Sequence, residues 1–78
     1  MSNEFFDEYK NLGCNIALYR KKAHLTQDGL ALKANISRGY LSQIEAENVD
    51  KAPSLDIVFT LAKALNVPVY KLFLYSDE

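Results

Sequence analysis

The stretch Leu25-Thr26-Gln27-Asp28-Gly29-Leu30-Ala31-Leu32-Lys33-Ala34-Asn35-Ile36-Ser37-Arg38-Gly39-Tyr40-Leu41-Ser42-Gln43-Ile44-Glu45 decides how this chain folds. Thr26 is a natural N-cap, because its hydroxyl can accept a backbone N–H of the first helical turn, and Leu30, Ala31 and Ala34 then recur at helical spacing. Asn35 tolerates the left-handed conformation in which many helices end. Ser37 offers a second N-cap, ahead of the apolar pair Leu41 and Ile44. The spacing predicts a helix of about eight residues, a turn made of Asn35 and Ile36 plus the cap, and a further short helix.

Upstream, Phe5, Tyr9, Leu12, Ile16, Tyr19 and Ala23 recur at steps of three and four, which places them on one stripe of a helix from near Glu4 to Ala23. His24 follows it, as a C-terminal cap or an exposed side chain. Cys14 falls on the side of that helix away from the stripe and reads as an ordinary thiol. Downstream, Ala46 to Pro53 holds Glu47, Asn48, Asp50 and Lys51 without periodicity and reads as a loop. Ser54 caps a fourth helix with Leu55, Val58, Leu61, Ala62 and Leu65 inward, ended by Asn66. Pro68, at a first helical position, starts a fifth with Val69, Leu72 and Phe73 inward. No segment alternates with period two over a strand's length. The expected fold is all-α, five short helices in one domain spanning 1–78.

Composition bounds what such a domain can do. Its 78 residues are 49% apolar and 24% charged. At that length a chain buries only roughly 60% of its unfolded surface, which argues against a large enclosed substrate pocket. One cysteine and one histidine exclude an internal disulfide and a zinc site of Cys/His type. No phosphate-binding glycine loop or nucleophile elbow is present, so the chain is expected not to be an enzyme and to need no cofactor and no metal. The longest apolar runs are the four residues Ile16–Tyr19 and Leu72–Tyr75, too short for a membrane span or a signal peptide, so a cytoplasmic protein without a membrane partner is expected. The net charge is only −1, yet its distribution is uneven. Between residues 10 and 38, Lys10, Arg20, Lys21, Lys22, Lys33 and Arg38 stand against Asp28 alone, while both ends are acidic. Such a segment can supply an electropositive face, and faces rather than totals meet nucleic acid.

Two short helices joined by a tight turn form the helix-turn-helix pattern, residues 26–46 here, whose second helix can enter the DNA major groove. With Leu41 and Ile44 fixing the buried direction, about 100° per residue puts Arg38, Gly39, Ser42, Gln43 and Ala46 on the outer face of that helix. Arg can donate two bonds to guanine and Gln can bond bidentately to adenine, while Gly39 leaves room for close approach. Arg38, Gly39, Ser42 and Gln43 are therefore the expected base readers.

The string Leu25-Thr26-Gln27, Leu30-Ala31, Ala34-Asn35-Ile36-Ser37-Arg38, Tyr40-Leu41-Ser42-Gln43-Ile44-Glu45, Pro53-Ser54-Leu55 and Leu61-Ala62-Lys63-Ala64-Leu65-Asn66-Val67-Pro68 closely resembles the Cro/repressor-type (XRE) helix-turn-helix family of bacterial and phage regulators, over about Leu12 to Phe73. The resemblance implies a DNA-binding transcriptional regulator, of stand-alone repressor, phage-repressor or restriction-modification controller type, with double-stranded DNA as partner and no small-molecule ligand evident. It further implies a structural ion pair between Arg20 and Glu45, and a phosphate-backbone contact at Gln27 that also braces the reading helix. Ser37 and Tyr40 are further backbone candidates. Gly29 stands where the family usually has an acid, so the capping box from Thr26 is lost and the second helix should start less firmly. Asn35 replaces the usual turn glycine, and the loop after Glu45 lacks the usual glycine and basic residues. A helical protein-interaction module such as an antitoxin, on the same scaffold, is the alternative function. Ile57 and Ala64 on the fourth helix, with Tyr70 and Leu74 on the fifth, lie off the buried stripes. They are the expected interface of a symmetric homodimer.

Overall fold

The computed structural model describes residues 4–46 and 52–75. They form α1 (Phe6–Lys22), α2 (Gln27–Ala34), α3 (Arg38–Glu45) and α4 (Leu55–Leu65), followed by a 3-10 helix, Val69–Phe73. The fold is all-α and repressor-like. The fifth element differs from the α-helix expected of it: Pro68 lies just before it as N-cap, and the short segment closes as 3-10 turns. Most of the loop expected over Ala46 to Pro53 lies outside the described residues.

Helix starts follow the hydroxyl caps. Thr26 Oγ1 accepts the Gly29 N–H at 3.0 Å, Ser37 Oγ that of Tyr40 at 3.0 Å, and Ser54 Oγ that of Ile57 at 3.3 Å. The forward half of the capping box at α2, the Thr26 hydroxyl accepting the Gly29 N–H, is thus made, and Gly29 forgoes only the reciprocal side-chain bond. Helix ends follow one device used three times. His24, Asn35 and Asn66 take left-handed φ values of 60°, 58° and 60°. The residue after each donates its N–H five residues back: Leu25 to Arg20, Ile36 to Ala31 and Val67 to Ala62, at 3.0–3.1 Å. These are Schellman ends, and Leu25, Ile36 and Val67 supply the apolar contact that accompanies them.

One core joins Leu12, Ile16, Leu30, Ala31, Ala34, Leu41, Ile44, Val58, Leu61, Ala62, Leu65 and Leu72. Helix α1 packs on α3 and on the 3-10 segment, and α2 packs on α3 and α4. Five expected core positions are exposed instead, among them Ala23, which is the C-cap of α1 and lies past its last turn. Phe5 and Tyr9 begin the α1 stripe beyond the reach of the other helices. Leu55, in the first turn of α4, is 63% exposed, and Phe73 is 46% exposed because 3-10 winding turns it away from Leu72. Among the described residues no helix is long and apolar enough to cross a membrane.

Two α1 residues do work that hydrophobic periodicity does not report. Gly13 lies where α1 crosses α3, and a Cβ there would overlap the backbone carbonyl oxygen of Ile44. Asn15, buried beside Ile16, donates to the carbonyl oxygens of Leu72 (2.9 Å) and Leu74 (2.6 Å). One turn earlier, Asn11 donates to the Leu74 carbonyl at 3.1 Å. These bonds fasten the last described segment along α1. Tyr75 ends up near the first turn of α1, where lost hydration and then the carboxylates of Glu8 and Asp7 raise its hydroxyl pKa above the ordinary value.

Candidate nucleic-acid interface

The apolar anchors of α3, Leu41 and Ile44, are buried. The 3.6-residue period then leaves Arg38, Gly39, Ser42, Gln43 and Ala46 exposed on the other side. A Cβ built on Gly39 meets nothing within 4 Å, so the centre of that face is open space. Three donors for base edges, Arg38, Ser42 and Gln43, surround it. The Arg38 Nε lies 3.5 Å from the Asp28 Oδ1 in the first turn of α2.

Behind that face a buried network fixes α3 against its neighbours. The Arg20 Nε donates to Glu45 Oε2 at 2.9 Å and its Nη2 to Glu45 Oε1 at 3.1 Å, a two-pronged pair. Its Nη1 donates to the Leu25 carbonyl at 2.9 Å. The Gln27 Nε2 adds a bond to Glu45 Oε1 at 2.9 Å. The side chains of Arg20 and Glu45 are only 12% and 5% exposed. One carboxylate at the end of α3 therefore holds the end of α1 and the start of α2, and Arg20 ties in the turn between them. Every nitrogen of Arg20 is spent inside the protein, which leaves its charge little part in meeting an outside phosphate. Gln27 keeps its second amide hydrogen and its carbonyl oxygen for a further partner.

Ser37 is exposed, and its hydroxyl, already accepting the Tyr40 N–H, can still donate outward. Tyr40 is half-buried against the core. Ile57 and Ala64 are also half-buried against the core, whereas Tyr70 and Leu74 are 58% and 52% exposed. Ala64 borders a shallow depression between the C-terminal ends of α2 and α4, which Lys33, Thr60 and Lys63 also line. Leu55 and Phe59, one turn apart on the other flank of α4, add exposed apolar surface that the periodicity assigned elsewhere or left unremarked. Among the described residues no group of three or more His, Cys, Asp or Glu side chains could hold a metal ion, and Cys14 is exposed.

A helix-turn-helix family model matches residues 16–72. The chain is 38% identical over 60 residues to an uncharacterized HTH-type transcriptional regulator of Methanocaldococcus jannaschii, covering 77% of this chain and 88% of that one. It is 43% identical over 58 residues to the immunity repressor protein of Bacillus phage phi105, covering 74% of this chain and 39% of the repressor. Among solved structures, the hypothetical transcription factor NHTF from Neisseria superposes with a TM-score of 0.80 at 29% identity, over 88% of this chain and 77% of that one. The restriction-modification controller C.AhdI of Aeromonas hydrophila gives 0.79 at 25% identity, over 86% and 98%. SinR, a master regulator for biofilm formation solved in complex with DNA, gives 0.72 at 34% identity, over 78% and 95%. The exposed polar face of α3, the turn before it and these likenesses lead to one conclusion: the chain belongs to the XRE/Cro-type helix-turn-helix family of DNA-binding transcriptional regulators.

Proposed function

We propose that this regulator recognises a specific operator in the cytoplasm by laying α3 in the major groove, with Arg38, Gly39, Ser42 and Gln43 against base edges. The observation that carries this reading is the pairing of an open polar outer face on α3 with a buried network that immobilises the helix from behind. A reading helix must be held rigidly, because bidentate base contacts tolerate little misplacement. Gln27, Ser37 and Tyr40 flank that face and contact the phosphate backbone, which sets register without carrying sequence information. The structure of SinR in complex with DNA, which shares this fold, supports DNA as the ligand class.

The regulator acts as a symmetric homodimer through α4 and the C-terminal segment. Tyr70 and Leu74, with the outer edges of Ile57 and Ala64, form the apolar surface, and one weakly basic module makes few phosphate contacts alone. A two-fold pair doubles those contacts and sets its reading helices about 34 Å apart, one turn of DNA. Selection of duplexes from a randomised pool, followed by titration of Arg38→Ala and Gln43→Ala, tests the assignment. Each variant is expected to keep its fold, to lose about 1 to 3 kcal/mol of specific binding and to relax preference at particular positions, while Gln27→Ala weakens all sequences alike. Undiminished specificity in both reader variants would refute α3 as the reader. Sedimentation of the Ile57→Asp, Leu74→Asp variant tests the dimer, and an unchanged dimer would refute that interface.

A further inference from the structure

Arg38 opens α3 and Asp28 lies in the first turn of α2, yet the two meet across the turn, Nε to Oδ1, at 3.5 Å. Both side chains are largely exposed, so packing does not force them together. Asp28 is also the one acid between residues 10 and 38, in the segment that otherwise carries only positive charge. The contact engages the arginine on its inner edge. A guanidinium has five N–H donors, and an ion-pair contact on its Nε side leaves those of Nη1 and Nη2 available, enough to donate to O6 and N7 of a guanine.

We propose that Asp28 is a positioning residue for base reading: its carboxylate tethers Arg38 through Nε so that the two terminal nitrogens face the groove. This rests on the assignment of Arg38 as a base reader given above. An untethered arginine on a helix start has several rotatable bonds and meets phosphates first, since they are the most numerous acceptors on DNA and report no sequence. A carboxylate beside it biases the guanidinium toward one orientation and repels a phosphate that would bind it out of register. The tether thereby lowers affinity for arbitrary DNA while keeping affinity for the correct base pair, which raises the ratio between them. Asp28 also favours the positive N-terminal end of the α2 dipole, but that effect acts on helix stability and does not pass through Arg38.

A double-mutant cycle on DNA discrimination separates these roles. Duplexes of about 20 base pairs, two helical turns, are selected from a randomised pool with the wild type. Each G·C pair of the selected duplex is then changed in turn, and dissociation constants are measured for wild type, Asp28→Asn, Asp28→Glu, Arg38→Ala and Asp28→Asn with Arg38→Ala. The pair at which Arg38→Ala loses preference is the one Arg38 reads. At that pair Asp28→Asn is expected to lower discrimination by about two- to fivefold, the strength of an exposed ion pair, and to bind unselected DNA more tightly. Asp28→Glu should restore most of the discrimination, and in the Arg38→Ala background Asp28→Asn should leave it unchanged. A uniform shift on every duplex, or an equal loss of discrimination with and without Arg38, would overturn the tether. If Arg38→Ala loses preference at no pair, the base-reading assignment itself falls, and with it the inference, in an arm that does not involve Asp28.

Discussion

Replacing Gly13 by alanine tests the closest approach in the fold. A Cβ at this position would overlap the Ile44 carbonyl oxygen and lie 3.3 Å from the Ile44 carbonyl carbon and 3.4 Å from the Glu45 Cα. All three atoms are backbone, so no side chain can swing away and α1 must move off α3. Overpacking of this kind costs about 1 to 3 kcal/mol. Alanine returns about 1 kcal/mol of helix propensity in the middle of α1. The separation carries a second cost, because Glu45, one of the residues struck, anchors the buried pair with Arg20, and widening the crossing stretches bonds now at 2.9 and 3.1 Å. Because the overlap is with backbone that cannot swing aside, the upper end of that balance applies, and the net expectation is a loss of about 2 kcal/mol. In a domain of this size that lowers the melting temperature by about 10 °C, read by circular dichroism. Gly29→Ala is the control: its Cβ would approach only side-chain atoms of Thr26 and Leu25, at 3.3 Å or more, so the helix-propensity gain should appear there without a backbone clash, as unchanged or raised stability. A Gly13→Ala protein melting at or above wild type would refute the close crossing and leave only the propensity effect.

Arg20→Ala strands the buried Glu45 carboxylate with the Gln27 amide as its remaining side-chain partner, so chemical denaturation should report a loss of about 3 kcal/mol. An unchanged stability accompanied by weaker DNA binding would instead make Arg20 a DNA ligand. Asn15→Leu leaves the Leu72 carbonyl without its amide donor and the Leu74 carbonyl with Asn11 alone, and urea titration should show about 1 to 3 kcal/mol lost. Gly39→Ala, on an unobstructed outward position of α3, should raise stability by up to about 1 kcal/mol through helix propensity yet weaken operator binding, because the methyl group projects toward the groove.

Much of this fold is legible in the chain because its helix boundaries are set locally. Thr26, Ser37 and Ser54 cap within three residues of themselves, and Asn35 and Asn66 turn the chain by their own left-handed conformation. The outer face of α3 follows as directly, since Leu41 and Ile44 fix one side and the helical period fixes the other. What periodicity misreads lies where tertiary geometry overrides it. Leu55 continues the α4 stripe on paper but stands in a first turn that no other element covers, and Phe73 falls outside because five residues wind as 3-10 rather than α. Hydrophobic periodicity says nothing of Asn11, Gly13 and Asn15. Their partners are backbone atoms of α3 and of the C-terminal segment, and a polar or small residue beside an apolar stripe looks the same whether it faces water or another main chain. A spacing of four between two asparagines on one helix is the only trace the clamp leaves in the sequence.

That clamp also decides how the molecule bears a load. Asn11 and Asn15 grip carbonyls 57 to 63 residues away, so the beginning and the end of the described fold are stitched side by side. Tension applied between the two ends, through handles in an optical trap, is therefore delivered to a few amide-to-carbonyl bonds before it reaches any other contact. Those bonds lie at one edge and break in succession, like a seam rather than a rivet line. Their release withdraws Leu72 from the core first, while the Arg20–Glu45–Gln27 network still binds α1, α2 and α3 together. The domain should accordingly extend in two steps, the C-terminal segment peeling away at low force and the helix-turn-helix giving way afterwards.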